Sequence, residues 1–135
     1  VTGLSFFHIP LLEYNEIAGD GKTFGNNREG KVASANINSG MFASFIDMKD
    51  VMGVFAGHDH DNDYLGINKG IVLGYGRVTG ADAYGELTRG ARIIELYEGK
   101  FRFDTWITTP SGREATYYYP SGLNSEEVSW ARRCV

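Results

Sequence analysis

Two of the three histidines in this 135-residue chain stand two residues apart, in Gly57-His58-Asp59-His60-Asp61-Asn62-Asp63. The run follows directly on the apolar segment Val51 to Ala56. On an extended backbone residues i and i+2 face the same side, so the spacing predicts that His58 and His60 present their imidazoles to one small volume. Gly57 would let the backbone turn closely past a bound group. Neutral imidazole is a metal ligand, and the carboxylates at 59, 61 and 63 suit either the orientation of its tautomer or the supply of oxygen ligands. The bland alternative is a polar loop with two solvated histidines. His8, the third histidine, closes another apolar run, Leu4-Ser5-Phe6-Phe7-His8-Ile9. All three histidines thus fall at the C-terminal ends of expected buried strands, the edge where open α/β sheets place ligand sites. His8 is expected to join His58 and His60 there, against the alternative of a hydrogen-bonded core residue.

Other motifs offer less. Gly21-Lys22-Thr23 imitates the end of a phosphate-binding loop, but Glu16 stands where the first glycine is required. Gly74-Tyr75-Gly76-Arg77-Val78-Thr79-Gly80 is one residue too long for the dinucleotide fingerprint, and no helical period follows it. Ser39 and Ser44 have no histidine nearby in sequence to activate a serine nucleophile. Arg77, Arg89 and Arg92 have the chemistry to contact an anion, although a salt-bridged arginine is the commoner outcome.

The elements that must position these residues alternate between apolar runs and glycine-rich loops. A strand over residues 4–9 leads into a short helix over 10–18, with Pro10 suited to its first turn. A surface loop over 19–31 follows, rich in Gly, Asn and Lys. Asn38-Ser39 is predicted to cap a helix that runs to about Asp47, since Met41, Phe42, Phe45 and Ile46 share one face at helical spacing. Strands are predicted at 51–56, 64–67, 70–75, 91–97 and 100–108, with Glu98-Gly99 as a two-residue hairpin turn between the last two. After 109 the pattern breaks at Pro110-Ser111-Gly112, so residues 1–109 read as one domain and 110–135 as an extension of unknown role, with a helix over 125–134.

Composition bounds the function classes. With 42% apolar and 13% aromatic residues the chain has enough apolar material for a real core. A net charge of −4 provides no basic surface of the kind that tracks a phosphate backbone, so no nucleic-acid-binding surface is expected. No apolar run approaches the roughly 18–20 residues that span a bilayer, so no membrane partner is expected. The single cysteine, Cys134, leaves the redox compartment open, and localisation stays unknown.

The residues Phe6-Phe7-His8-Ile9-Pro10-Leu11, then Asn38-Ser39-Gly40, then Gly53-Val54-Phe55-Ala56-Gly57-His58-Asp59-His60-Asp61-Asn62-Asp63 together resemble the C-terminal part of calcineurin-like metallophosphoesterases, most similar to the purple-acid-phosphatase-like branch. Gly70 to Gly76 and Arg89 to Leu96 continue the likeness, which covers roughly residues 4 to 97. The resemblance implies an α/β (α+β) fold: the C-terminal half of a four-layer αββα sandwich, with a mixed β-sheet and one or two packed helices. It also implies a dinuclear metal centre of divalent or trivalent ions, Fe, Mn or Zn, about 3.5 to 4 Å apart, at which phosphate mono- or diesters are hydrolysed by a hydroxide held between the ions. His8 and His58 would ligate one metal and His60 the other. Asp59, Asn62 and Asp63 would be groups behind the ligands or on the substrate side, with loop turns as their bland alternative.

The family's Asp-x-His, Gly-Asp-x-x-Asp and Gly-Asn-His-Asp/Glu motifs have no match here. Gly19-Asp20-Gly21-Lys22-Thr23 carries Thr23 where a carboxylate is needed, and Gly25-Asn26-Asn27 lacks the histidine. The chain therefore reads as a piece whose N-terminal half lies elsewhere, holding no catalytic residue of its own and binding metal weakly alone. A half-sandwich of that kind would leave one sheet face bare, which predicts association with the N-terminal half of the same protein or a homodimer contact. The alternative is a non-catalytic binding or assembly module that keeps its histidines as local structure.

Overall fold

A computed structural model describes residues 1–122. The order is β1 (Gly3–Phe6), α1 (Tyr14–Ala18), α2 (Met41–Met48), β2 (Val51–Ala56), β3 (Leu65–Asn68), β4 (Ile71–Tyr75), β5 (Ala91–Leu96), β6 (Phe103–Thr109) and β7 (Gly112–Tyr119). Among the described residues the fold is mixed α/β with few helices and two β-sheets. The first sheet has the order β1-β2-β4-β3, with β1, β2 and β4 parallel and β3 antiparallel to β4. The second is the antiparallel meander β5-β6-β7.

The apolar sequences of β2 and β4 follow from their place. As inner parallel strands they are covered on both faces, so they read as continuous apolar runs instead of alternating ones. Tyr14 and Ile17 of α1 and Phe42 of α2 pack with Val54, Ala56, Ile71 and Leu73 on one face of the first sheet. On the other face Met52, Phe55, Leu65 and Val72 meet Phe103, Tyr117 and Tyr119 of the second sheet. The sheet face expected to lie bare is thus covered by β6 and β7.

Gly74 sits in the middle of this packing, where a Cβ would stand 2.9 Å from the Phe55 ring and 3.3 Å from the Leu65 Cβ. A Gly74→Ala variant is expected to lose about 1–3 kcal/mol of stability through overpacking, read as a lower urea midpoint at unchanged slope.

Three local expectations are corrected. The two-residue hairpin turn is Lys69-Gly70, with φ of 48° and 82°, the double positive φ that such turns require. Glu98-Gly99 instead lies within a longer connection, residues 97–102. Helix α2 is capped by Gly40 in the left-handed region, and Asn38 accepts the Gly40 N–H from outside the helix. The boundary expected after residue 109 falls inside the β6–β7 hairpin, where Thr109 pairs with Gly112, so residues 112–119 belong to the fold. The helix expected over 125–134 lies outside the described residues.

Candidate metal centre

Strands β1 and β2 are parallel neighbours in a register that sets Phe6 beside Phe55. The pairing continues past both strand ends, as Phe7 N–H donates to the Phe55 carbonyl and Gly57 N–H to the His8 carbonyl. This register carries His8 and His58 to the same place. His58 Nδ1 lies 3.1 Å from His8 Nε2, with the rings edge to face at 5.0 Å.

The premise of an extended 58–60 segment does not hold. Asp59 N–H donates to the Gly57 carbonyl at 2.9 Å across His58, whose φ is +72°. That is a γ-turn with a non-glycine residue in the left-handed region, a conformation that costs about 1–3 kcal/mol and needs surrounding structure to hold it. The turn separates the two imidazoles. His58 faces His8, whereas His60 stacks on Tyr84 at 4.0 Å and 14° and sets its Nδ1 3.0 Å from the Tyr84 carbonyl. His8, His58 and His60 line one cleft of about 220 Å³.

Behind the histidines the loop is held by buried groups. Asp59, Asn62 and Asp63 are almost fully buried. Asp59 accepts the Tyr75 hydroxyl at 2.7 Å and the Ala33 N–H at 3.1 Å. Asn62 accepts the Glu29 N–H and donates to the Lys31 carbonyl. Asp63 accepts from Asn26 and pairs with Arg77. The loop expected merely to lie on the surface, residues 19–31, is therefore partly a strap over the histidine loop, with isolated bridges Phe24↔Leu65 and Asn27↔Asn62. Burial and the Asp59 hydrogen bond push the Tyr75 phenol well above its ordinary range. A Tyr75→Phe variant leaves Asp59 short of a donor, and a loss of about 1.5–3 kcal/mol is expected in chemical denaturation.

The three arginines considered for an anion are turned to the protein itself. Arg77 pairs with Asp63 and Glu114, Arg92 donates to the carbonyls of Tyr75 and Asp63, and Arg89 donates to four carbonyls of its own loop. Tyr84 escaped the sequence reading. Its only signal is its place between Gly80 and Gly85 in a loop after a buried strand.

Three curated proteins of Arabidopsis thaliana are similar to this chain. "Probable inactive purple acid phosphatase 29" is 42% identical over 106 residues, 77% of this chain and 27% of the relative. "Probable inactive purple acid phosphatase 28" is 44% identical over 105 residues, 76% of this chain and 26% of the relative. "Probable inactive purple acid phosphatase 14" is 34% identical over 106 residues, 77% of this chain and 26% of the relative.

By sequence the chain is related to purple-acid-phosphatase-like proteins.

It matches the C-terminal part of such a protein and spans about a quarter of the length of the curated relatives. No protein-family model and no solved structure matches it.

A metal ion can be tested against the His8–His58 pair by its donors. Two nitrogens bound to one ion at about 2.0–2.1 Å lie roughly 3 to 3.4 Å apart, and the His8–His58 spacing of 3.1 Å fits that range. Without an ion the same spacing is an N–H···N hydrogen bond in which one ring donates and the other accepts. Among the described residues no group of three or more His, Cys, Asp or Glu side chains gathers as a metal-binding set. The pair has the spacing of two ligands on one ion, and any further donors would have to come from outside the described residues.

Proposed function

We propose that this chain supplies part of the metal centre of a phosphoesterase acting on phosphate mono- or diesters, with His8 and His58 on one ion and His60 on a second. The observation that carries the reading is the 3.1 Å approach of His58 Nδ1 to His8 Nε2, made by two parallel strand ends. When bound, two ions of Fe, Mn or Zn would neutralise charge on the phosphoryl oxygens and supply the hydrolytic nucleophile. The chain's own contribution is positional. The β1–β2 register holds two imidazole donors together, the γ-turn at His58 aims its ring at His8, and Tyr84 turns His60 to a separate position. Asp59, Asn62 and Asp63 support these ligands from behind, through the 24–33 strap and Arg77.

The remaining ligands would come from the rest of the protein or from a second copy. Two of the sheet edges support such a partner. Among the described residues β1 and β5 each pair on one side only, and Phe6 and Leu96 on them are 63% and 60% exposed. A second reading, a non-catalytic domain that keeps this frame, is favoured by the words "probable inactive" in the relatives' names. One experiment separates them. The full gene product, purified with Mn, Fe and Zn available, is expected to hold about two metal ions per chain and to hydrolyse p-nitrophenyl phosphate. Metal-free protein with no hydrolysis would establish the non-catalytic reading.

A further inference from the structure

The loop between β4 and β5 is fastened at several independent points. The Arg89 guanidinium donates to the carbonyls of Gly80 at 3.1 Å, Gly85 at 2.9 Å and Leu87 at 2.9 Å, and also to that of Ala83. One side chain thus closes residues 80–89 upon themselves. The Asp61 carboxylate accepts the N–H groups of Glu86 at 2.7 Å and Leu87 at 3.0 Å, which tie the closed loop to the histidine loop. Those two N–H groups also hold the Asp61 carboxyl below its ordinary range. Gly85 makes the approach possible. It has φ of +111°, and a Cβ there would stand 2.6 Å from Asp61 Oδ1 and 3.4 Å from His60 Cβ.

Together these contacts put Tyr84 in one place. Its ring stacks on the His60 imidazole, and its hydroxyl donates to Glu29 at 2.7 Å and accepts the His60 N–H at 3.2 Å. Its carbonyl lies 3.0 Å from His60 Nδ1. A carbonyl only accepts, so Nδ1 carries the proton in this contact and the neutral ring keeps its lone pair at Nε2.

We infer that residues 80–89 form a positioning arm that fixes both the tautomer and the orientation of His60, with Arg89 acting through the Tyr84 carbonyl. Arg89 is a positioning residue; Nε2 of His60 is the donor atom that the arm leaves free. The inference rests on the proposed role of His60 as a ligand only for its purpose, since the tautomer is set by protein groups alone. Backbone carbonyls that hold the far nitrogen of a ligating histidine commonly change metal affinity by about 10–100-fold when lost.

The test uses the metal-free 135-residue chain with ¹⁵N-labelled histidine, at about pH 8, above the ordinary histidine value near 6.5. Two-bond ¹H–¹⁵N correlations report which ring nitrogen carries the proton. In the unaltered chain His60 is expected almost wholly as the Nδ1–H form. Arg89→Ala is expected to move it to a mixture of the two tautomers, a change of at least several-fold in their ratio, while the His8 and His58 signals stay in place. Gly85→Ala reaches the same end by another route, pushing the loop off Asp61, and serves if the arginine variant does not fold. Tyr84→Phe keeps the ring and the carbonyl and is expected to preserve the tautomer. A proton on Nε2 of His60 in the unaltered chain overturns the inference, as does an unchanged His60 ratio in the folded arm variants. Metal analysis of the full gene product tests the metal reading separately. A metal-free product, with His60 of the 135-residue chain still Nδ1–H, would overturn that reading and leave the arm standing.

Discussion

Replacing Arg77 by alanine is expected to lower folding stability by about 3–5 kcal/mol. The guanidinium lies 2.6 Å from Asp63, and the two side chains are 3% and 1% exposed. Its removal strands a buried carboxylate, and that stranding dominates over the lost attraction. Asn26 still donates to Asp63, through its backbone N–H at 2.6 Å and its amide, which keeps the loss below the cost of an isolated buried charge. The second partner, Glu114, is 51% exposed, so Glu114→Gln is expected to change stability by less than about 1 kcal/mol. Arg77→Met separates charge from volume because it retains the apolar stem. In the Arg77→Met/Asp63→Leu double variant part of the loss should return, since no unpaired charge remains. Urea denaturation reads all four variants. A loss under about 1 kcal/mol for Arg77→Ala would contradict this account of how the histidine loop is braced.

His58→Gly has the opposite signature, in which a functional loss comes with a relaxed backbone. At φ of +72° His58 occupies a conformation that glycine adopts freely, so the substitution removes local strain. Glycine also widens the unfolded ensemble, which offsets part of the gain. Stability is therefore expected to stay within about 1 kcal/mol of the unaltered chain. Zinc affinity at the His8 site is expected to fall at least about 100-fold, because one of the two convergent nitrogens is gone, a larger change than the loss of a group behind a ligand produces. Calorimetric zinc titration of the full gene product and thermal unfolding of the same preparation give both numbers. Unchanged zinc affinity would show that His58 is held for a purely structural reason.

The meeting of His8 and His58 was legible in the sequence because it depends on strand ends. An apolar run followed by Gly57-His58, and another closed by His8, sufficed to place both histidines at one sheet edge, and β2 came out with the bounds its apolar run suggested. The local geometry between His58 and His60 was not legible. Alternation predicts side-chain direction only on an extended backbone, and Asp59 N–H bonding to the Gly57 carbonyl replaces that with a turn. The strap was hidden for a different reason. Residues 24–33 have loop composition, and their order comes from long-range hydrogen bonds to Asp59, Asn62 and Asp63, which no local pattern carries. Tyr84 was hidden in the same way, since Arg89 and Asp61 fix it through backbone groups. The second sheet as a cover for the first was missed because β7 begins after Pro110-Ser111, a break that reads as a domain end and is a hairpin connection.

The most direct test of the shared ion is an anomalous diffraction map at the zinc edge from crystals of the full gene product grown with zinc. The account predicts a peak about 2.0–2.1 Å from both His8 Nε2 and His58 Nδ1, absent in His58→Gly crystals. Rings still in mutual hydrogen-bond contact with no peak between them, at full zinc loading elsewhere, would contradict it.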